Sequence, residues 1–349
     1  MRTEIITISS FENVEEKLVT AAKVIKNGGL VIFPTETVYG LGGDALNSLA
    51  SKRIYEAKGR PQDNPLIVHI AKPEDAELYT YTSDVYYKLA ARFMPGPLTV
   101  IMTAKDIIPK ETRASLPTVA VRCPSHPIAR ALITLSETPI AAPSANLSGS
   151  PSPTKASHVI DDMMSRVDVI IAADDSEIGL ESTIVKIEDN GSLTLLRPGK
   201  ITVDELCDVC GEVNVASAVT SQLKEGETVL SPGMKYRHYA PKAPVILIDG
   251  DSDDVARYIG SEASDKAVAV VCYKEDVSKI KEKAPTVFIY EFGDKNDENT
   301  HAHLLFDILR DADKKQFDVI YAPLPRAEGV GLALYNRMIR AAAYNIIKL

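Results

Sequence analysis

Short aliphatic runs, each stopped by a polar loop carrying proline or glycine, recur along the whole of this chain. They read as the buried strands of an α/β protein, in which helices cover a sheet. Predicted strands in the first half are Glu4–Ile8, Leu30–Phe33, Leu66–Ile70, Leu98–Thr103, Val119–Arg122, Ile140–Ala142, Val169–Ala172, Thr183–Ile187 and Leu193–Leu196. Helices are predicted over Phe11–Lys26, from about Asn47 to Ala57, over Pro127–Leu135 and over Val203–Cys210. The first shows apolar residues at Val14, Leu18, Ala21, Ala22 and Ile25 and is stopped by Asn27-Gly28-Gly29. The last two strands, joined through Asp189-Asn190-Gly191, read as a hairpin. Because strands and helices do not alternate strictly, a twisted mixed sheet with flanking helices is expected.

Periodicity lapses after Gly211 and returns at Val245. The stretch between is no ordinary flexible linker, since Lys235, Tyr236, Arg237, His238 and Tyr239 crowd into five positions. Beyond it, strands at Val245–Ile248, Ala267–Cys272, Val287–Tyr290 and Val319–Ala322 interleave with helices at Asp253–Ile259 and His301–Arg310, and Leu332–Ile347 closes as a helix. That pattern predicts a smaller doubly wound, Rossmann-like α/β domain of about a hundred residues. The expected division is 1–212, a linker or lid at 213–243, and 244–349.

A chain of 349 residues with 45% hydrophobic content has enough apolar surface for two cores. Its net charge of −9 excludes a whole-protein basic footprint for nucleic acid, yet leaves room for a few cations around an anionic ligand such as ATP. No apolar run approaches the ~20 residues of a membrane span, and Met1-Arg2-Thr3-Glu4 lacks the features of a signal peptide. A cytoplasmic location with reduced thiols and no membrane association is therefore expected. Cys207 and Cys210 have no second close pair to complete a zinc site, because Cys123 and Cys272 lie far away in sequence, so both read as small helix residues.

The first domain's polar residues gather where strands end, the usual place for ligands in α/β proteins. Leu30–Phe33 runs into Pro34-Thr35-Glu36-Thr37-Val38-Tyr39-Gly40-Leu41-Gly42, in which Thr35 and Thr37 would face a ligand. Lys58 and Arg60 stand two residues apart at a helix end, before Asn64-Pro65 and the strand that His69 closes. They read either as complements of the helix dipole or as a phosphate clamp. Arg122 ends another strand, and Ser144 and Asn146 follow a third. Glu181-Ser182-Thr183 opens a strand and Arg197-Pro198-Gly199 closes one. There is no Walker A loop, nucleophile elbow or His-Glu-x-x-His helix. Cations, hydroxyls and amides without a nucleophile–base pair favour a site that positions and neutralises a phosphate-bearing ligand.

At these loops the chain resembles the YrdC-like family of threonylcarbamoyl-AMP synthases. The matching residues are Pro34 to Leu41, Lys58-Gly59-Arg60-Pro61, Asn64-Pro65-Leu66, Pro95 to Thr99, Val121-Arg122, Pro143-Ser144-Ala145-Asn146 and Glu181-Ser182-Thr183. Ser231 to Pro241 and Gly329 to Arg337 resemble the linker and the C-terminal domain of the two-domain version. The resemblance implies that L-threonine, bicarbonate and ATP give L-threonylcarbamoyl-AMP and pyrophosphate, for transfer to tRNA by downstream proteins. It also implies ATP contacts from Lys58, Arg60, Asn64, Thr118, Asn146, Arg197, Tyr236 and His238, with Mg2+ riding on the triphosphate. Lys58 and Arg60 would be the catalytic cations. Thr35, His69, Arg122, Ser144 and Ser182 would form the threonine pocket, and no resident metal site is implied. Tyr236 and His238 would belong to a lid across the cleft. Against this stands an RNA-binding module using Lys52, Arg53, Lys58 and Arg60, for which the acidic total predicts weak or no direct binding. The Gly329-Val330-Gly331 turn reads as a tight turn into a helix rather than as a second nucleotide site.

Overall fold

The computed structural model describes residues 2–222, 239–263 and 266–349. These fall into two compact units, 2–148 with 152–222, and 149–151 with the described residues from 239 onward. No described helix is long and apolar enough to cross a membrane.

The first unit is built on strands β1 (Glu4–Thr7), β2 (Val31–Phe33), β3 (Gly40–Asp44), β4 (Ile67–His69), β5 (Leu98–Thr103) and β6 (Thr118–Arg122). To these are added β7 (Ile140–Ala141), β8 (Val169–Ala172), β9 (Thr183–Ile187), β10 (Leu193–Arg197) and β11 (Val213–Val215). Among the described residues they make one eleven-stranded sheet in the order β1-β8-β2-β3-β7-β4-β6-β5-β9-β10-β11. It is mixed, as expected: β4 runs parallel to β6 but antiparallel to β7, and β9 with β10 forms the antiparallel hairpin. Its last strand, β11, lies in the stretch read from sequence as the start of the linker.

Helices Val14–Lys26 and Pro127–Ser136 bury Leu18, Ala21, Ile25, Ile128 and Leu132 against Val31, Phe33 and Ile171 of the sheet. A second cluster, Ile67, Ile101, Ala120, Ile184 and Leu196, joins strands β4, β5, β6, β9 and β10. Register sets what lies at its edge. His69 and Thr99 both pair with Arg122, and Ile184 pairs with Thr99. Side chains alternate with period two, so His69, Arg122 and Thr99 share the face of this apolar cluster and stand at one end of it.

Some elements depart from the expectations. Gly40–Asp44 is a strand, although its glycines read as a loop. A Cβ on Gly42 would lie 2.6 Å from Ile140 and 2.7 Å from Phe33, so only glycine lets the neighbouring side chains close over it. The first helix begins at Val14, not Phe11, and helices at Asp84–Phe93 and Ala156–Met163 were not anticipated.

The second unit has strands β12 (Val245–Asp249), β13 (Val268–Cys272), β14 (Phe288–Glu291), β15 (Val319–Pro323) and β16 (Ile346–Lys348). All are parallel, in the order β14-β13-β15-β12-β16. The chain moves from β12 through β13 to the β14 edge, then reverses through β15 to the β16 edge, and with right-handed crossovers that reversal distributes the helices to both faces. The predicted closing helix is shorter than expected. It spans Gly331–Ala341, after which Ala343 and Tyr344 take left-handed φ values of 47° and 63° and turn the chain into β16.

Candidate active site

The polar loops of the first unit form one connected structure. Lys58 ends helix Ser48–Lys58, where Gly59, at φ 62°, reverses the chain. The Lys58 side chain is 2% exposed, and its Nζ donates to the carbonyls of Ser144 and Asn146, both at 2.5 Å. Ser144 Oγ in turn donates to Asn146 Oδ1 at 2.5 Å. The same loop is laced to the β2–β3 loop, since Leu41 N–H donates to Pro143 O and Ala145 N–H to Tyr39 O. Thr35 shapes that second loop from within. Its hydroxyl donates to Val38 O at 2.6 Å, meets Thr37 Oγ1 at 2.8 Å, and accepts from the Thr37 and Val38 amides.

From this loop Glu36 reaches Arg122, whose Nη2 donates to Glu36 Oε1 at 2.7 Å. Both side chains are almost fully buried. Burial pushes the Glu36 carboxyl up, but the charge and hydrogen bond of Arg122, aided by the backbone amides of Glu36 and Ser125, outweigh it and hold the carboxyl below its ordinary value. Beside Arg122, His69 Nδ1 lies 3.1 Å from Ile67 O, and its ring meets Phe33 edge-on. Desolvation, reinforced by Arg122, drives its pKa down to about 3, so the imidazole is neutral. On the other flank Thr99 Oγ1 and Ser182 Oγ lie 2.8 Å apart. Arg197 holds Ser182 from behind, donating to its carbonyl at 3.0 Å and its hydroxyl at 3.1 Å. Gly199 allows this packing, because a Cβ there would sit 2.5 Å from the Thr183 amide nitrogen.

Arg60 wraps the neighbouring turn, donating to the carbonyls of Asn64 and Pro65. Thr118 begins β6, four residues before Arg122 and on the same face, about 13 Å along the strand. Lys58, Ser144 and Asn146 are therefore in direct contact, Ser182 and Arg197 form a second contact set, and His69 flanks Arg122. Thr118 is set apart along the strand. Tyr236, His238 and the expected lid lie outside the described residues. Sequence reasoning gave no role to Glu36 or Thr99, although both sat within the quoted motifs. The signal for Glu36 was a carboxylate set between two threonines, directly after an aliphatic strand.

Three buried polar atoms here have no hydrogen-bond partner among the described residues: Glu36 Oε2, Arg122 Nε and Asn64 Oδ1. Orphaned buried polar atoms are costly, and the juxtaposition of two of them on the Glu36–Arg122 pair suits a pocket that a polar substrate completes. In the second unit, a cavity of about 340 Å³ opens at the carboxyl edge of the sheet, lined by Tyr273, Lys295, Glu298 and Arg326 among others. The Gly329-Val330-Gly331 turn beside it is occupied by the chain itself, since Glu298 Oε2 accepts from the Gly331 amide at 2.8 Å. Cys207 and Cys210 are partly buried residues on helix Val203–Cys210.

Comparison with known proteins agrees with this architecture. Residues 23–199 match the Sua5/YciO/YrdC family, described as Telomere recombination, and residues 201–343 match the family described as Threonylcarbamoyl-AMP synthase, C-terminal domain. The threonylcarbamoyl-AMP synthase of Pyrococcus abyssi is 44% identical, over 98% of this chain and 99% of its own length. That of Bacillus subtilis is 41% identical, over 96% and 95%. A crystal structure of P. abyssi Sua5 complexed with L-threonine superimposes with a TM-score of 0.89 at 42% identity, covering 100% of each chain. With its family matches, its full-length relatives and its fold in agreement, the chain belongs to the threonylcarbamoyl-AMP synthase family.

Proposed function

We propose that this protein converts L-threonine, bicarbonate and ATP to L-threonylcarbamoyl-AMP, pyrophosphate and water. The observation that carries this reading is the unbroken run of contacts from Lys58, through residues 144–146 and 34–41, to the buried Arg122. It links cations, hydroxyls and amides of separate loops into one connected set. Arg122 would take the threonine carboxylate, with Thr35, His69, Ser144 and Ser182 around the amino acid. Lys58, Arg60, Asn64, Thr118, Asn146 and Arg197 would line the nucleotide, with Tyr236 and His238 joining them.

The chemistry asks little of a base. Threonine's nitrogen captures carbon dioxide from bicarbonate as a carbamate, and the carbamate oxygen, already an anion, attacks the α-phosphorus as pyrophosphate leaves. Neutralising and aligning charge are the protein's task in such a transfer. A neutral His69 fits that division of labour. Mg2+ would arrive on the triphosphate oxygens, since the nearby Glu36 and Glu181 carboxylates are engaged with Arg122 and Ser152. The product would pass to proteins that transfer the threonylcarbamoyl group to tRNA, in the cytoplasm. We keep 1–212, 213–243 and 244–349 as catalytic domain, linker and C-terminal domain, with the linker's first residues, Val213–Val215, pairing with the catalytic sheet as β11.

The test is pyrophosphate release from purified protein with ATP, Mg2+, bicarbonate and L-threonine, omitting each in turn. Release that requires both threonine and bicarbonate supports the assignment. Release without threonine points to another acceptor, and no release under any combination overturns the reading.

A further inference from the structure

Arg122 and Glu36 meet through one contact, Nη2 to Oε1, rather than through the two-pronged fork such a pair can make. The remaining prongs, Arg122 Nε and Glu36 Oε2, are both buried and both without a partner among the described residues. One is a donor that cannot accept, the other an acceptor that cannot donate while ionised. A substrate completing this pair presents an acceptor to the arginine and an N–H or O–H to the glutamate. Charge narrows the choice. The pair is neutral as it stands, so a bare carboxylate would leave a net buried negative charge, which is expensive. An α-amino acid brings its own nitrogen beside its carboxylate and keeps the balance. His69, held neutral, adds no charge of its own.

We propose that Glu36 is a substrate-positioning residue whose Oε2 accepts a hydrogen bond from the amino nitrogen of L-threonine while Arg122 holds the carboxylate, a role that rests on reading Arg122 as the carboxylate site. Ammonium, amine and carbamate nitrogen all retain an N–H, so the contact survives carbamate formation. Glu36 thereby distinguishes an amino acid from a plain hydroxy acid and fixes the nitrogen that must be carbamoylated.

The test is equilibrium binding, by calorimetry, of L-threonine and of 3-hydroxybutanoate, which is the same chain without the amino nitrogen. Wild-type, Glu36→Gln and Arg122→Lys proteins are compared, with thermal unfolding as the check on folding. Glu36→Gln keeps the side chain's shape but removes its charge, so it should weaken threonine about tenfold or more. It should leave 3-hydroxybutanoate unchanged or tighter, because Arg122 is no longer neutralised. Arg122→Lys should weaken both ligands. A merely structural role for Glu36 would weaken both ligands equally in Glu36→Gln, and that result overturns the proposal, as does a wild-type protein with no preference for threonine. If Arg122→Lys leaves threonine binding intact, the carboxylate assignment itself fails and the role of Glu36 with it. Should Glu36→Gln not fold, Glu36→Asp supports the proposal by retaining part of the preference for threonine and overturns it by losing none.

Discussion

The neutral imidazole of His69 makes this protein's stability depend on pH in a way that one substitution can isolate. The ring has an ordinary pKa of 6.5 and is driven to about 3 in the fold by burial and by Arg122. Between those values the unfolded chain takes up a proton at this position and the folded chain does not. The stability contributed by keeping the ring neutral is therefore complete above pH 6.5 and is lost as pH falls toward 3. Each pH unit inside that window is worth about 1.4 kcal/mol, so acidification from pH 7 to 4.5 should remove roughly 2–3 kcal/mol through this one residue. His69→Asn keeps a donor where Nδ1 lies, against Ile67 O, and cannot titrate. Urea unfolding followed by far-UV circular dichroism at intervals from pH 7 to 4.5 should show wild type losing its margin over His69→Asn by that amount. His126 and His301, whose pKa values are also lowered by burial, are common to both proteins and cancel. A margin that stays flat across the range would refute the reasoning, meaning that the fold accepts a charged imidazole beside Arg122.

Three further outcomes are expected. Glu36→Ala and Arg122→Ala should each destabilise by about 3–5 kcal/mol by stranding a buried charge, and the double variant should cost less than their sum, as measured by denaturant titration. Lys58→Met should cost about 3 kcal/mol by leaving the Ser144 and Asn146 carbonyls without their donor. It should also raise the KM for ATP in the pyrophosphate assay more than the KM for threonine. Gly199→Ala should lower the unfolding midpoint by several degrees, because its methyl group collides with the Thr183 backbone rather than with a side chain that can move.

The fold was legible where burial and length agreed. Leu98–Thr103 and Val169–Ala172 are aliphatic runs bounded by polar loops, and the strands occupy those residues. The sequence signal failed where packing replaced propensity. Gly40–Asp44 has almost no side chains to announce a strand, because Phe33 and Ile140 fill the space that they would need. The closing helix reads on past Ala341 because no glycine or proline marks the left-handed turn at Ala343 and Tyr344. In the site, single charges at element ends, Lys58 and Arg122, stood out without any partner in view. The partnership of Glu36 with Arg122 joins positions 86 apart. Nothing local records it, because it arises only when the β2–β3 loop folds over the end of β6.

The strand order also bears on how the chain is made. Strand β1 pairs with β8, register Glu4 to Val169, and β8 then stands between β1 and β2. During synthesis the first strand emerges from the ribosome long before its partner exists, as does the β2 edge that β8 will cover. Both edges stay uncovered while the roughly 165 residues between Glu4 and Val169 are made, a state that invites mispairing with other chains. Ribosome-stalled chains in which β8 has not yet left the exit tunnel should therefore capture more chaperone, in a pulldown of the stalled complexes, than chains in which it has.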